Sequence, residues 1–259
     1  MRRGMMGALF LAFAVMAMQP AHACEECKLK GKIHIGQTQV IGNGVAYAWV
    51  RVKDGKPTTV GITLTESALS GLPEEPPAGM VGMEYDLALP KEAAGTPFDH
   101  IGLNWNPKGH APAGIYNVPH FDFHFYMITS QAQSRITARG EDVARCFKKP
   151  AAGVLPAGYI TGPGTEEPGM GSHWADPTSP EFHGQPFTST FIYCYYNGSV
   201  IAYEPMITRA FLESHPNVTQ PIKLPAVTPK RGYYPSGYTV KYDPVRKEVV
   251  IELEGLTQR

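Results

Sequence analysis

The sequence predicts a mainly β chain: an antiparallel barrel or sandwich with one or two short helices and long Gly/Pro-rich loops. Three observations carry this. Gly (27) and Pro (24) make up about one residue in five of the 259, against a usual share of roughly 12%, and such punctuation fits short strands and turns. Runs rich in β-branched and aromatic residues recur between turn signals such as Asp54-Gly55 and Asn197-Gly198. The alternation of strand and helix patterns that marks a parallel sheet does not occur.

In chain order, Val45 to Val52 reads as a strand, Asp54-Gly55 as a hairpin turn and Thr58 to Thr65 as the return strand. Residues 71–79 form a loop, and Met83 to Leu89 is a strand closed by Pro90. Residues 104–119 are loop-rich, and His120 to Ile128 is a strand of unusual composition. Residues 131–147 carry the best helical pattern, with one or two turns expected over Arg139 to Phe147. Residues 148–186 read as one long loop, functional or disordered by its length and Gly/Pro content. Phe187 to Tyr195 and Ser199 to Glu204 are strands joined by Asn197-Gly198, residues 205–214 a short helix with Pro205 near its start, and Tyr238 to Tyr242 and Lys247 to Leu253 a final hairpin.

Residues 1–23 read as a secretory signal peptide. Arg2 and Arg3 begin it, Met5 to Met18 is an apolar stretch too short to span a bilayer comfortably, and Ala21-His22-Ala23 is a small-residue cleavage site. Residues 24–259 are then expected to form a single β-rich domain with its motif-bearing core at about 95–215. The expected location is periplasmic or extracellular, without stable membrane insertion. Lipid anchoring at Cys24 is disfavoured because Ala21 and His22 lack the usual branched apolar residue. Four cysteines, Cys24, Cys27, Cys146 and Cys194, suggest disulfides in an exported chain. Without Arg2 and Arg3 the remaining chain is slightly acidic and has no basic stripe, which argues against nucleic-acid partners.

Chemistry concentrates in Pro119-His120-Phe121-Asp122-Phe123-His124-Phe125-Tyr126. On a strand, His120, Asp122, His124 and Tyr126 share one face and the three phenylalanines the other. Imidazole and carboxylate together suit zinc first and other transition metals second. Residues four apart on a strand lie about 13 Å apart, too far to share one ion with bonds of about 2 Å. So the strand is bulged, or ligands come from outside it, or two ions are present. His173 is the preferred outside ligand, with His183 next, which gives His120, Asp122, His124 and His173 as candidate metal ligands. Glu204 and Glu181 are candidate general bases. His34, His100, His110 and His215 read as structural. No Gly-x-Ser-x-Gly elbow and no dinucleotide or P-loop fingerprint occurs.

The segments Gly109 to Tyr126, Gly171 to Trp174, Pro180 to Phe182, Phe187 to Tyr193 and Glu204 to Thr208 together resemble a family of uncharacterised exported bacterial proteins, typified by a thermophile protein under sigma-E and anti-sigma-E control. The resemblance implies an exported, strand-rich protein with His120, Asp122 and His124 at a polar centre that takes zinc. The expected function is metal binding, with a metal-dependent small-molecule hydrolase or cyclase as its catalytic form and residues 150–186 as a lid. The alternative is a non-catalytic ligand-binding or envelope-stress protein with a structural or pH-responsive polar core. The partners expected are a small molecule or metal ion, and in the structural variant a homo-oligomer meeting through the histidine face.

Overall fold

A computed structural model describes residues 31–80 and 82–259. The expected signal peptide, Cys24 and Cys27 lie outside the described residues. Fifteen strands are described: β1 Lys32–Ile41, β2 Gly44–Lys53, β3 Lys56–Thr65, β4 Met83–Ala88, β5 His100–Asn106, β6 His120–Tyr126, β7 Glu166–Glu167, β8 Gly171–Trp174, β9 Ser189–Tyr196, β10 Ser199–Thr208, β11 Asn217–Pro221, β12 Tyr233–Tyr234, β13 Gly237–Asp243, β14 Glu248–Glu254 and β15 Thr257–Gln258. A six-stranded sheet runs β1-β2-β3-β14-β13-β11, a seven-stranded sheet runs β4-β5-β6-β10-β9-β8-β7, and β12 pairs with β15. The pairings are antiparallel.

The turn signals explain the hairpins. Asp54 and Gly55 adopt φ of 51° and 73°, and Asn197 and Gly198 adopt 52° and 80°. Both central residues of a type I′ turn need positive φ, which Asn, Asp and Gly tolerate best.

The two large sheets face each other across one core. Val60, Ile62 and Leu64 of β3 and Val249, Ile251 and Leu253 of β14 meet Ile101 and Leu103 of β5 and Phe121, Phe123 and Phe125 of β6. This is a sandwich, and the phenylalanine ridge read from the sequence lies between its layers. Burying each such ring contributes roughly 1.5–3 kcal/mol. The opposite face of β6 is covered as well, since every residue of β5 and β6 is buried. His110, Tyr116 and Phe187 supply part of that cover, with His120 packed against His110 and Phe187.

Four expectations are corrected. Residues 131–147 hold no continuous helix: α1 Ser130–Gln133 is a single turn, Ala138 and Gly140 at φ 50° and 55° interrupt the run, and the turns expected over Arg139 to Phe147 follow as a 3-10 turn at Gly140–Asp142 and α2 Val143–Cys146. Residues 205–208 continue β10, and only Arg209–Glu213 is helical (α3), capped by the Thr208 hydroxyl accepting from the Phe211 amide. Pro205 is tolerated there because pairing with β6 skips Glu204 and Pro205, where the missing N–H would otherwise break a ladder. Residues 148–186 are not a bare loop, since they contain β7, β8 and a 3-10 turn at Pro180–His183. Among the described residues Cys146 and Cys194 are buried and free, so of the pairings left open by the four cysteines the one that joins these two is not formed. Cys194 is instead drawn to Glu204, to which its thiol donates at 3.1 Å.

Candidate metal centre

The covered outer face of the seven-stranded sheet is built by register. Asn106, Asn104, Gly102 and His100 of β5 stand opposite His120, Asp122, His124 and Tyr126 of β6 without a bulge. On the other side, Thr208 and Met206 of β10 face His120 and Asp122, and Ala202 faces Tyr126. The same register sets Glu204 across from His124. On β9, Cys194 faces Ala202, and His173 of β8 faces Cys194. A register shift between Val200 and Ala202 re-aims β10, so that Val200 and Tyr203 both join the inter-sheet core while Ala202 and Glu204 turn to the polar face.

Because β6 is regular, His120 and His124 fall into two different sets. One is His124, His173, Cys194 and Glu204; the other is His110, His120 and Asp122; within each, one donor atom per residue lies within 4.8 Å of the others. In the first, His124 Nε2 is 3.3 Å and His173 Nε2 3.5 Å from the Glu204 oxygens. In the second, Asp122 is 3.2 Å from His120 Nε2 and 3.4 Å from His110 Nε2. Two ligands about 2.05 Å from a tetrahedral ion are roughly 3.3 Å apart, so these spacings suit atoms sharing an ion.

The hydrogen bonds fix which nitrogens face inward. The Nδ1 atoms of His110, His120 and His173 lie 2.8, 2.7 and 2.7 Å from the carbonyls of Ala111, Val118 and Thr165. A carbonyl only accepts, so each Nδ1 carries a hydrogen. In the neutral ring Nε2 is then a bare lone pair aimed at a carboxylate, the orientation that supporting contacts give to metal-bound histidines. His120 Nε2, Asp122 Oδ1 and both His124 nitrogens are buried without a hydrogen-bond partner. The His120–Asp122 and His124–Glu204 approaches are therefore close but not aligned as hydrogen bonds. Each orphaned group costs about 1–3 kcal/mol unless something fills the gap.

The electrostatics favour positive charge here. Burial pushes the His124 imidazole down, but the Glu204 carboxylate outweighs it and the net shift is upward. Burial acts likewise on His110, where Asp122 carries the imidazole up to about 9. Asp122 and Glu204 are raised by burial and lowered further by His120 and His124 respectively, so both stay ionised. Carboxylates that hold a proton on these rings equally favour a cation among them. Burial and the Glu204 carboxylate push the Cys194 thiol up, so a metal would have to displace its proton.

Of the residues expected at the site, His120, Asp122, His124 and His173 all lie on this face. Glu204 stands among the candidate ligands, with His124, His173 and Cys194 around its carboxylate. Glu181 lies beyond Tyr116, whose hydroxyl donates to it at 3.1 Å. His183 reaches only the Pro177 carbonyl, at 3.0 Å. His110, read from the sequence as structural, and Cys194, read as a cystine partner, also stand in these two candidate groups.

Fold and site together describe an antiparallel β-sandwich with two groups of side chains on a covered face that could each hold a metal ion. A family model described as TTHB210-like, hypothetical protein TTHB210, matches residues 52–105. Over that segment, from the end of β2 to Trp105 in β5, the chain is similar to an uncharacterised family. The segment ends before His110. No curated protein and no solved structure matches the chain. Among the described residues no helix is long and apolar enough to cross a membrane.

Proposed function

We propose that the protein is an exported metal-binding β-sandwich whose set His124, His173, Cys194 and Glu204 holds a resident zinc or another transition ion. The observation that supports this best is the convergence of four buried or half-buried donor atoms within 4.8 Å, two of them on the orphaned, fully buried ring of His124 and the ionised Glu204. A mixed imidazole, thiolate and carboxylate set suits zinc. His173 is held by the Thr165 carbonyl, and His124 by stacking on Tyr126, whose ring lies 5.4 Å away at 13°.

Four protein donors close a tetrahedral site, which favours a structural or sequestering ion at this set over a catalytic one. A bound ion with an open position would polarise a carbonyl or lower the pKa of water, the chemistry of a small-molecule hydrolase or cyclase. In that form Glu181, paired with Tyr116, is the carboxylate left to act as a base, because Glu204 serves as ligand. The rival reading is a non-catalytic envelope-stress protein with a structural polar core. The full burial of His120 and His124 favours it, but their orphaned nitrogens count against it.

Metal analysis of the protein purified without a histidine tag tests the proposal, beside His124→Ala and Cys194→Ala. Bound zinc or another transition metal in the wild type, reduced in both variants, supports it. A metal-free wild type whose variants lose only stability overturns it and leaves the polar core.

A further inference from the structure

We propose that His110, His120 and Asp122 form a second metal position, chemically distinct from the four-donor set, with one coordination place open to water or a small anion. This rests on the metal-binding reading of the same face.

The donor sets differ in kind. The second offers two imidazoles and one carboxylate and has no thiol. Three protein ligands of this type leave a tetrahedral ion one place short, the arrangement of reactive rather than structural sites. The set is also built rather than accidental. Asp122 is oriented by Asn106, whose amide donates to Oδ2 at 2.6 Å. His110 and His120 are both fixed through Nδ1 to backbone carbonyls, at 2.8 and 2.7 Å. Gly109, next to His110, holds φ of 66°, and a Cβ there would stand 2.0 Å from the Tyr116 carbonyl oxygen. The segment that delivers His110 therefore follows a path that only glycine permits.

Two unfilled atoms point to a ligand. His120 Nε2 and Asp122 Oδ1 are buried, 3.2 Å apart and without a hydrogen-bond partner. A simple ion pair would have aligned them; an ion between them satisfies both. Asn104, directly opposite Asp122 on β5, has its own carbonyl oxygen buried and unpartnered. It is placed to accept a hydrogen from whatever fills the open position. Access runs past His110, whose side chain is 25% exposed, whereas those of His120 and Asp122 are 0% and 6%. The ligand class is accordingly a small oxygen donor: water, a monodentate anion, or the carbonyl or phosphoryl oxygen of a small substrate.

Cobalt(II) titration of chelator-stripped protein tests this, with azide as the exogenous ligand. The expected result is two cobalt ions per chain. One gives a near-ultraviolet thiolate band that disappears in Cys194→Ser and ignores azide. The other gives visible bands that shift with azide and disappear in His110→Ala, while the thiolate band persists and shows that the variant is folded. One cobalt with a thiolate band and no azide response overturns the second position and leaves the first. One cobalt lost in both variants means a single shared ion and also overturns it. No cobalt at all overturns both readings.

Discussion

The two faces of β6 are equally buried and differently satisfied. Phe121, Phe123 and Phe125 meet other hydrocarbon in the inter-sheet core. His120, Asp122, His124 and Tyr126, one residue away in each case, leave five side-chain atoms buried without partners. The first face is complete with the chain alone. The second carries hydrogen-bonding capacity that the described residues do not use, and the strand alternation that separates the two faces confines it to one side.

The largest expected effect lies on the complete face. Phe123→Ala should lower unfolding free energy by about 3–5 kcal/mol, through lost burial and the cavity left behind. Denaturant melts of metal-free protein measure this, and a loss below about 1 kcal/mol would mean that the core closes over the gap. The second effect sharpens the contrast. Replacing a buried polar pair by apolar residues of similar size is often neutral or stabilising, so the double variant His124→Leu, Glu204→Met should match or exceed the metal-free wild type in stability. The same variant should lose the share of the zinc-induced gain that belongs to the four-donor set, about 2.7 kcal/mol at a hundredfold excess over that set's Kd, and keep any share from His110, His120 and Asp122. A stripped double variant several kcal/mol weaker than stripped wild type would show that the polar face is self-sufficient.

A smaller effect is expected at Gly102, opposite His124. A Cβ there would stand 2.7 Å from Tyr126 Cε2, displacing the ring that stacks on His124. Gly102→Ala should cost about 1–3 kcal/mol and weaken zinc binding measured by competition with a chelator. The smallest lies away from the site. Asp142 accepts from the Thr137 and Ala138 amides at 2.8 and 3.1 Å, from the Thr137 hydroxyl at 3.1 Å, and from Tyr196. Burial pushes its carboxyl up, and these donors hold it below the usual range. A depressed native pKa gives stability that is present above the unfolded value and lost as pH falls through the native one. Asp142→Asn should therefore cost about 1 kcal/mol at neutral pH, and the gap to wild type should close below about pH 4. A gap constant down to pH 2 would contradict that account.

Much of this was legible in the sequence because it depends on local rules. Alternation alone placed Phe121 and His120 on opposite faces, and Asn197-Gly198 gave the hairpin that brings β9 beside β10. What was not legible depends on register and on packing. Glu204 meets His124 because β10 pairs with β6 in one particular alignment, which the chain between them does not announce. Cys194 looked like half of a cystine because even cysteine counts favour that reading, yet the fold leaves it opposite Ala202 and beside Glu204. His110 sits in a turn-rich segment without periodicity, so nothing local directs it to Asp122. Pro205 suggested a helix start because proline suits a first turn; only the skipped ladder positions explain its place in a central strand.

The central claim is that the incomplete face of β6 is completed by metal. The most direct test is anomalous diffraction at the zinc edge from crystals of the protein purified without a histidine tag. The account predicts a peak enclosed by His124 Nε2, His173 Nε2, Cys194 Sγ and Glu204. Crystals grown with added zinc that show no anomalous density on this face, with His120, Asp122 and His124 joined only by hydrogen bonds, would contradict it.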